Sequence, residues 1–223
     1  ANVGMVTAAV FVPLDADPLP ELVLATEWGA IRVYRNRGGT FTDATREWGL
    51  DQQPGIWQTL AAGDFDGDGR FDLLAGNWGL NSHLKHGTKR VPYLVHGDIG
   101  GDGMYDALEA RFELATKRLL PRHRMVTLEL VFPFLRERFP THRRYGSATF
   151  QQIFAGQLTG AKLIKASHLA SVVLLNRGDK FESRALPVEA QLTPVMGASV
   201  ADFDGDGNED VFISQNYFAV RVE

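Results

Sequence analysis

The chain has 223 residues, 44% of them hydrophobic and 22% charged, and a formal net charge of −4. This is ordinary globular composition with length enough for a sizeable core, and no apolar run approaches the ~20 residues that a membrane-spanning helix needs. The chain contains no cysteine, which excludes disulfides and thiolate metal sites without fixing a compartment. No signal peptide is read, and Ala1 begins directly in repeat-like sequence, as expected of a mature protein or an excised fragment.

The first predicted strands are Ala8–Val12 and Leu22–Ala25, separated by Pro13-Leu14-Asp15-Ala16-Asp17-Pro18-Leu19-Pro20-Glu21. A hairpin is predicted across Ile31–Asp43, where Asn36-Arg37-Gly38 supplies a turn signal between apolar strands. Next come Thr59–Gly63, the loop Asp64-Phe65-Asp66-Gly67-Asp68-Gly69-Arg70-Phe71-Asp72, and the strand Leu73–Gly76. Asp98-Ile99-Gly100-Gly101-Asp102-Gly103-Met104-Tyr105-Asp106 follows in the same frame. A second Asn-x-Gly hairpin is predicted at Val172–Glu182. The last repeat reads Gly197–Ala201, then Asp202-Phe203-Asp204-Gly205-Asp206-Gly207-Asn208-Glu209-Asp210, then Val211–Ser214.

Two of these loops are near-identical. Each puts carboxylates at relative positions 1, 3, 5 and 9, with glycines at 4 and 6 that let the backbone curl. Alternate residues of such a loop point at one centre, and Ca²⁺ accepts six to eight hard oxygens in forgiving geometry. Without an ion, carboxylates gathered this closely repel one another. The predicted ligands are Asp64, Asp66, Asp68, the Arg70 carbonyl and Asp72, and Asp202, Asp204, Asp206, the Asn208 carbonyl and Asp210. The loop is not an EF-hand. That motif needs a bidentate Glu at position 12 between helices, and here position 12 is Ala75 or Ile213 between short apolar runs.

The other two copies are degenerate. Asp98, Asp102 and Asp106 form a weaker metal set, with Gly100 at position 3 leaving a gap for water. The first copy keeps Asp15, Asp17 and Glu21 but loses position 1 to Pro13 and both turn glycines, and is read as a repeat without a working site.

Residues 109–170 differ in character. Leu130–Pro140 and Thr149–Leu158 read as helical, and Phe150, Ile153, Phe154 and Leu158 share one face. Arg111–Arg144 holds nine Lys/Arg against three Glu, read as a solvated basic face rather than a nucleic-acid site. Among the six histidines, His83 and His86 share a loop without an evident third ligand and are read as solvent-facing. Trp28, Trp48, Trp57 and Trp78 could stack on sugars, although packing between strand layers suits them better. No nucleophile elbow, phosphate loop or Cys/His motif is present.

Taken together, Ala62–Gly69, Ala75–Asn81, Leu175–Phe181 and Val200–Asp210 resemble FG-GAP/VCBS repeat proteins, the calcium-loop propellers that include the integrin α-subunit head. More narrowly, the chain resembles bacterial proteins related to cartilage acidic protein, often carrying an ASPIC/UnbV domain. The resemblance covers most of residues 1–108 and 171–223. It implies an all-β fold, a β-propeller with four short strands per blade, secretion or surface display, and partner binding.

At about 40–50 residues per blade, three to four blades are expected, forming part of a larger propeller closed by further chain. The expected domains are propeller repeats at 1–108 and 171–223 flanking a mainly helical insertion at 109–170. The expected function is a non-catalytic, Ca²⁺-binding module for extracellular, periplasmic or cell-surface interaction with a protein or carbohydrate ligand on a propeller face. The alternative is the scaffold of a polysaccharide lyase or hydrolase. No membrane span and no nucleic-acid partner are expected.

Overall fold

The computed structural model describes residues 3–81 and 90–216. It is almost entirely strand and loop, as the repeats predict. The chain divides into two units, Ala1–His83 with Ala166–Glu223, and Leu84–Lys165.

In the first unit, β1 (Met5–Val12), β2 (Glu21–Gly29), β3 (Arg32–Arg37) and β4 (Thr40–Asp43) form an antiparallel meander, with β5 (Gly55–Ile56) on β2. β2 is buried along most of its length, whereas β1 is largely exposed. This is what Leu-Val-Leu-Ala in a central strand dictates. The second sheet is ordered β13-β12-β7-β6, from β6 (Thr59–Gly63), β7 (Asp72–Gly76), β12 (Val172–Asn176) and β13 (Phe181–Ala185). β7 pairs with β12, so the whole second unit is inserted between the second and third strands of one sheet. β14 (Val195–Ala201) and β15 (Asp210–Gln215) form a third, two-stranded sheet.

The first strands of these sheets lie side by side, with β6 against β1 on one hand and β14 on the other. Val23, Ile31, Val33, Leu73, Ala75, Val172 and Leu174 are buried in a shared core with Trp48 and Trp57. Trp48 packs on Phe181 with ring centroids 5.0 Å apart, and Trp57 stacks on His168 at 5.8 Å. Both tryptophans are sealed in, so neither offers a face to a sugar. Among the described residues no sheet closes on itself.

The second unit holds a four-stranded sheet ordered β10-β9-β8-β11, from β8 (Arg90–Gly97), β9 (Asp106–Glu113), β10 (Arg118–Pro121) and β11 (Lys162–Lys165). It also carries four short helices, α1 (Met125–Leu128), α2 (Phe134–Arg138), α3 (His142–Ser147) and α4 (Phe150–Ile153). The mainly helical insertion expected at 109–170 is thus a mixed unit that begins at Leu84, because β8 and β9 pair with each other and join this sheet.

The long helices expected at Leu130–Pro140 and Thr149–Leu158 are single turns. Pro133 stands at the N-cap of α2 and Pro140 stops its continuation, while Gly156 at φ +84° ends the turn after α4. The apolar face expected there is formed. Phe150, Ile153 and Phe154 are fully buried, with Leu158 packed beside them.

His83 and His86 lie outside the described residues.

Candidate metal centres

Each acidic loop closes an antiparallel hairpin, and the closing pair is equivalent in all four. Val12 faces Glu21, Gly63 faces Asp72, Gly97 faces Asp106, and Ala201 faces Asp210. The residue opposite the last strand position is therefore always the ninth-position carboxylate. That carboxylate accepts a hydrogen bond from the amide of position 2 in every loop. Leu14 N donates to Glu21 at 3.0 Å, Phe65 N to Asp72 at 2.9 Å, Ile99 N to Asp106 at 2.9 Å, and Phe203 N to Asp210 at 3.0 Å.

The first-position carboxylate straddles the curl. Asp202 accepts from Gly205 N at 2.7 Å, Asp206 N at 3.1 Å and Gly207 N at 3.0 Å. Asp98 repeats the pattern with Gly101, Asp102 and Gly103, and Asp64 with Asp68 and Gly69. The curl depends on left-handed backbone at Gly205 and Gly207, φ +78° and +90°, which a side chain would strain. The fifth-position carboxylate accepts from position 7, as in Asp206 to Asn208 N at 2.8 Å. Asp17, in the degenerate first loop, makes the same bond to Leu19 N at 2.8 Å.

Three loops of the first unit gather carboxylate oxygens within 4.8 Å of one another: Asp64, Asp66 and Asp72; Asp202, Asp204 and Asp206; and Asp15, Asp17 and Glu21. Asp68 and Asp210, expected as ligands, stand outside these tight groups, and no such group forms at Asp98, Asp102 and Asp106 among the described residues. Asp68 is drawn instead to the Arg70 guanidinium, with Arg177 3.6 Å away.

The first loop, read from sequence as lacking a working site, is the surprise. Glu21 is fully buried, and its Oε1 has no hydrogen-bond partner among the described residues. A buried carboxylate oxygen left without a partner costs about 1–3 kcal/mol or more, so this is a donor set that a hard cation would complete. All the side-chain donors here are oxygens, which suits Ca²⁺ rather than a softer metal.

Asp72 shows what the ion would relieve. Burial pushes its carboxyl above the usual carboxylate range, Asp66 and Asp68 push the same way, and the amides of Asn176 and Phe65 oppose them.

Residues far away in sequence support the loops. Asn176, fully buried, donates from Nδ2 to Leu14 O at 2.8 Å and Phe71 O at 3.2 Å, and accepts from Gly178 N at 2.8 Å. Its backbone amide donates to Asp72 at 2.7 Å. Arg177 bonds Asp66 at 2.6 Å and Glu182 at 2.9 Å. Glu209 accepts from the Asp64 amide at 2.5 Å, joining the fourth loop to the second. The Asn-x-Gly spacing pointed to Asn176 as a turn residue; nothing in the linear sequence pointed to Arg177 or Glu209 as neighbours of the second loop.

A family model for the FG-GAP-like repeat matches residues 14–75. That span contains the first two of these loops. Over this span the chain is similar to FG-GAP-like repeats. Human cartilage acidic protein 1 is 28% identical over 204 residues, covering 91% of this chain and 27% of the relative. The chain thus spans about a quarter of the length of the curated relative it matches.

Proposed function

We propose that the first unit is a set of β-propeller blades whose loops at 64–72, 202–210 and 13–21 hold Ca²⁺, and that the protein is a non-catalytic interaction module displayed outside the cytoplasm. The observation that carries this reading is the convergence of carboxylates in three loops that share one hydrogen-bonding scheme. The side-by-side first strands of the three sheets support blades arranged about a common axis. FG-GAP repeat proteins are typically extracellular or surface proteins, and no described helix is long and apolar enough to cross a membrane.

Calcium would neutralise the clustered charge, and Asp64, Asp66, Asp72, Asp202, Asp204, Asp206, Asp15, Asp17 and Glu21 would hold it. A site present at 100 times its Kd stabilises the fold by about 2.7 kcal/mol. Extracellular modules work with Kd values of ~10⁻⁴–10⁻³ M, which suits a compartment with millimolar calcium. The carboxylates are committed to ions and to loop amides, which leaves them poor proton carriers and favours binding over polysaccharide hydrolysis or elimination. The partner is a protein or carbohydrate.

Thermal unfolding in calcium and in EGTA, with metal analysis of the purified chain, tests the proposal. A calcium-dependent rise in Tm with two or three ions per chain is expected. A melting curve indifferent to EGTA, with no bound ion, would overturn it.

A further inference from the structure

The second unit carries a basic recess remote in sequence from the acidic loops. It is an open pocket of about 350 Å³ lined by Arg138, Phe139, Arg144, Ser147, Ala148 and Gln152. Among the described residues no acidic side chain lines it.

Arg138 is held in place. Its Nη1 donates to Ile153 O at 2.8 Å and to Ala155 O at 3.4 Å, and its guanidinium sits 5.1 Å from the centre of the Phe134 ring. Arg144, on α3, also lines the recess, and among the described residues no acceptor is bonded to its guanidinium. Gln152 spends its Oε1 on the Thr149 amide, which orients its Nε2 as a further donor. One anchored cation, one unpaired cation, an amide donor and a small apolar floor make a site for an anion. The planar guanidinium fork matches a carboxylate or sulfate bidentately.

We propose that this recess binds the acid group of an anionic sugar unit, a uronate or a sulfated sugar. The proposal deepens the carbohydrate side of the reading above and rests on it. The volume is at the small end of ligand sites, large enough for one or two sugar rings, and its openness lets a chain continue past it. Single-stranded nucleic acid needs open aromatic faces for its bases. Here Phe139 is buried and Phe134 already carries Arg138.

The test is isothermal titration of the full chain in saturating calcium and low salt. The probes are digalacturonate, a sulfated disaccharide, neutral lactose, hexathymidylate and a hexaglutamate peptide. Two variants accompany the wild type. Arg144→Gln removes the unpaired cation. Gln152→Glu puts a negative charge in the recess while keeping the capping arrangement, since a Glu side chain accepts the same Thr149 amide.

Digalacturonate or the sulfated disaccharide should bind and lactose should not, which of the two binds tighter naming the acid. Each variant should weaken that binding at least ten-fold with Tm unchanged. Absence of binding to both acid sugars, binding unmoved by both variants, or preference for hexathymidylate or hexaglutamate would overturn the site. A chain that gains nothing from calcium yet binds the acid sugar through Arg144 keeps this site and refutes only the calcium proposal.

Discussion

Asn176→Ala tests how the acidic loops are held. The Asn176 side chain spans two hairpins, with Nδ2 on the carbonyls of Leu14 and Phe71 and Oδ1 on the Gly178 amide. Alanine removes all three bonds. The side chain is fully buried, so water does not simply replace it. Two backbone carbonyls are left short of a donor, at about 1–3 kcal/mol each, giving about 2–6 kcal/mol in all. For a chain of this length that lowers Tm by roughly 4–24 °C.

Asn36 supplies an internal control. It occupies the equivalent turn of the first sheet, donates to Pro20 O at 3.1 Å and accepts from Gly39 N at 2.9 Å, but is only half-buried. Asn36→Ala should cost about 1 kcal/mol or less, because solvent reaches the freed groups. Differential scanning calorimetry of both variants in EGTA isolates the effect from ion binding. A loss below about 0.5 kcal/mol for Asn176→Ala, or equal losses for the two, would refute the argument that this side chain ties the loops together.

Arg177→Gln should tighten calcium binding at 64–72 although it deletes an ion pair. Arg177 Nη1 lies 2.6 Å from an Asp66 oxygen, and an ion bonded to that oxygen at ~2.4 Å would sit within about 5 Å of the guanidinium. The repulsion relieved corresponds to roughly ten-fold in affinity, read by calorimetric titration with the 202–210 site as reference; weaker binding in the variant would reverse the assignment. Gly76→Ala should destabilise the first unit by about 1–3 kcal/mol, since a Cβ there meets Thr59 Cγ2 at 2.6 Å and the Val195 carbonyl at 2.7 Å; a neutral result in urea unfolding would mean β7 and β14 are not packed this closely. Burial pushes the Tyr145 hydroxyl, which donates to His123 O at 2.8 Å, up to about 12. Its native pKa lies above the unfolded value near 10, so its contribution is intact below about pH 10 and is lost as pH rises towards 12. Absorbance titration at 295 nm should show a late phenolate step that Tyr145→Phe removes.

The hairpins and their loops were legible because strand period and loop spacing are local. Short apolar runs on either side of Asp64–Asp72 and Asp202–Asp210 could only be strands joined by a tight polar turn, and both are. What escaped the sequence depends on distance along the chain. Asn176 reaches Leu14, Arg177 reaches Asp66, and Glu209 reaches Asp64, none of which a linear pattern records. The boundary at Leu84 was hidden for a different reason. The loop at 98–106 follows the repeat spacing and closes a hairpin as the other loops do, but its strands β8 and β9 pair with β10 and β11 instead of the first unit's sheets. The helices failed because apolar spacing shows which face is buried and not how far a helix runs. Pro133, Pro140 and Gly156 decided the lengths.

The first loop shows which part of the motif is indispensable. Pro13 replaces the carboxylate at position 1, and Ala16 and Pro18 replace the glycines, yet Glu21 still bonds the amide of position 2 and Asp17 still bonds that of position 7. In the loop at 98–106, position 3 is glycine, and the bond from position 9 to position 2 is again kept. The ninth-position carboxylate is therefore first a hairpin clasp and only second a candidate ion ligand. It satisfies an amide that the curled backbone would otherwise leave without a partner, whether or not the remaining carboxylates converge. Motif spacing alone consequently reports the hairpin. The capacity for an ion follows only where position 3 and two further carboxylates meet, as Asp15, Asp17 and Glu21 do and Asp98, Asp102 and Asp106 do not.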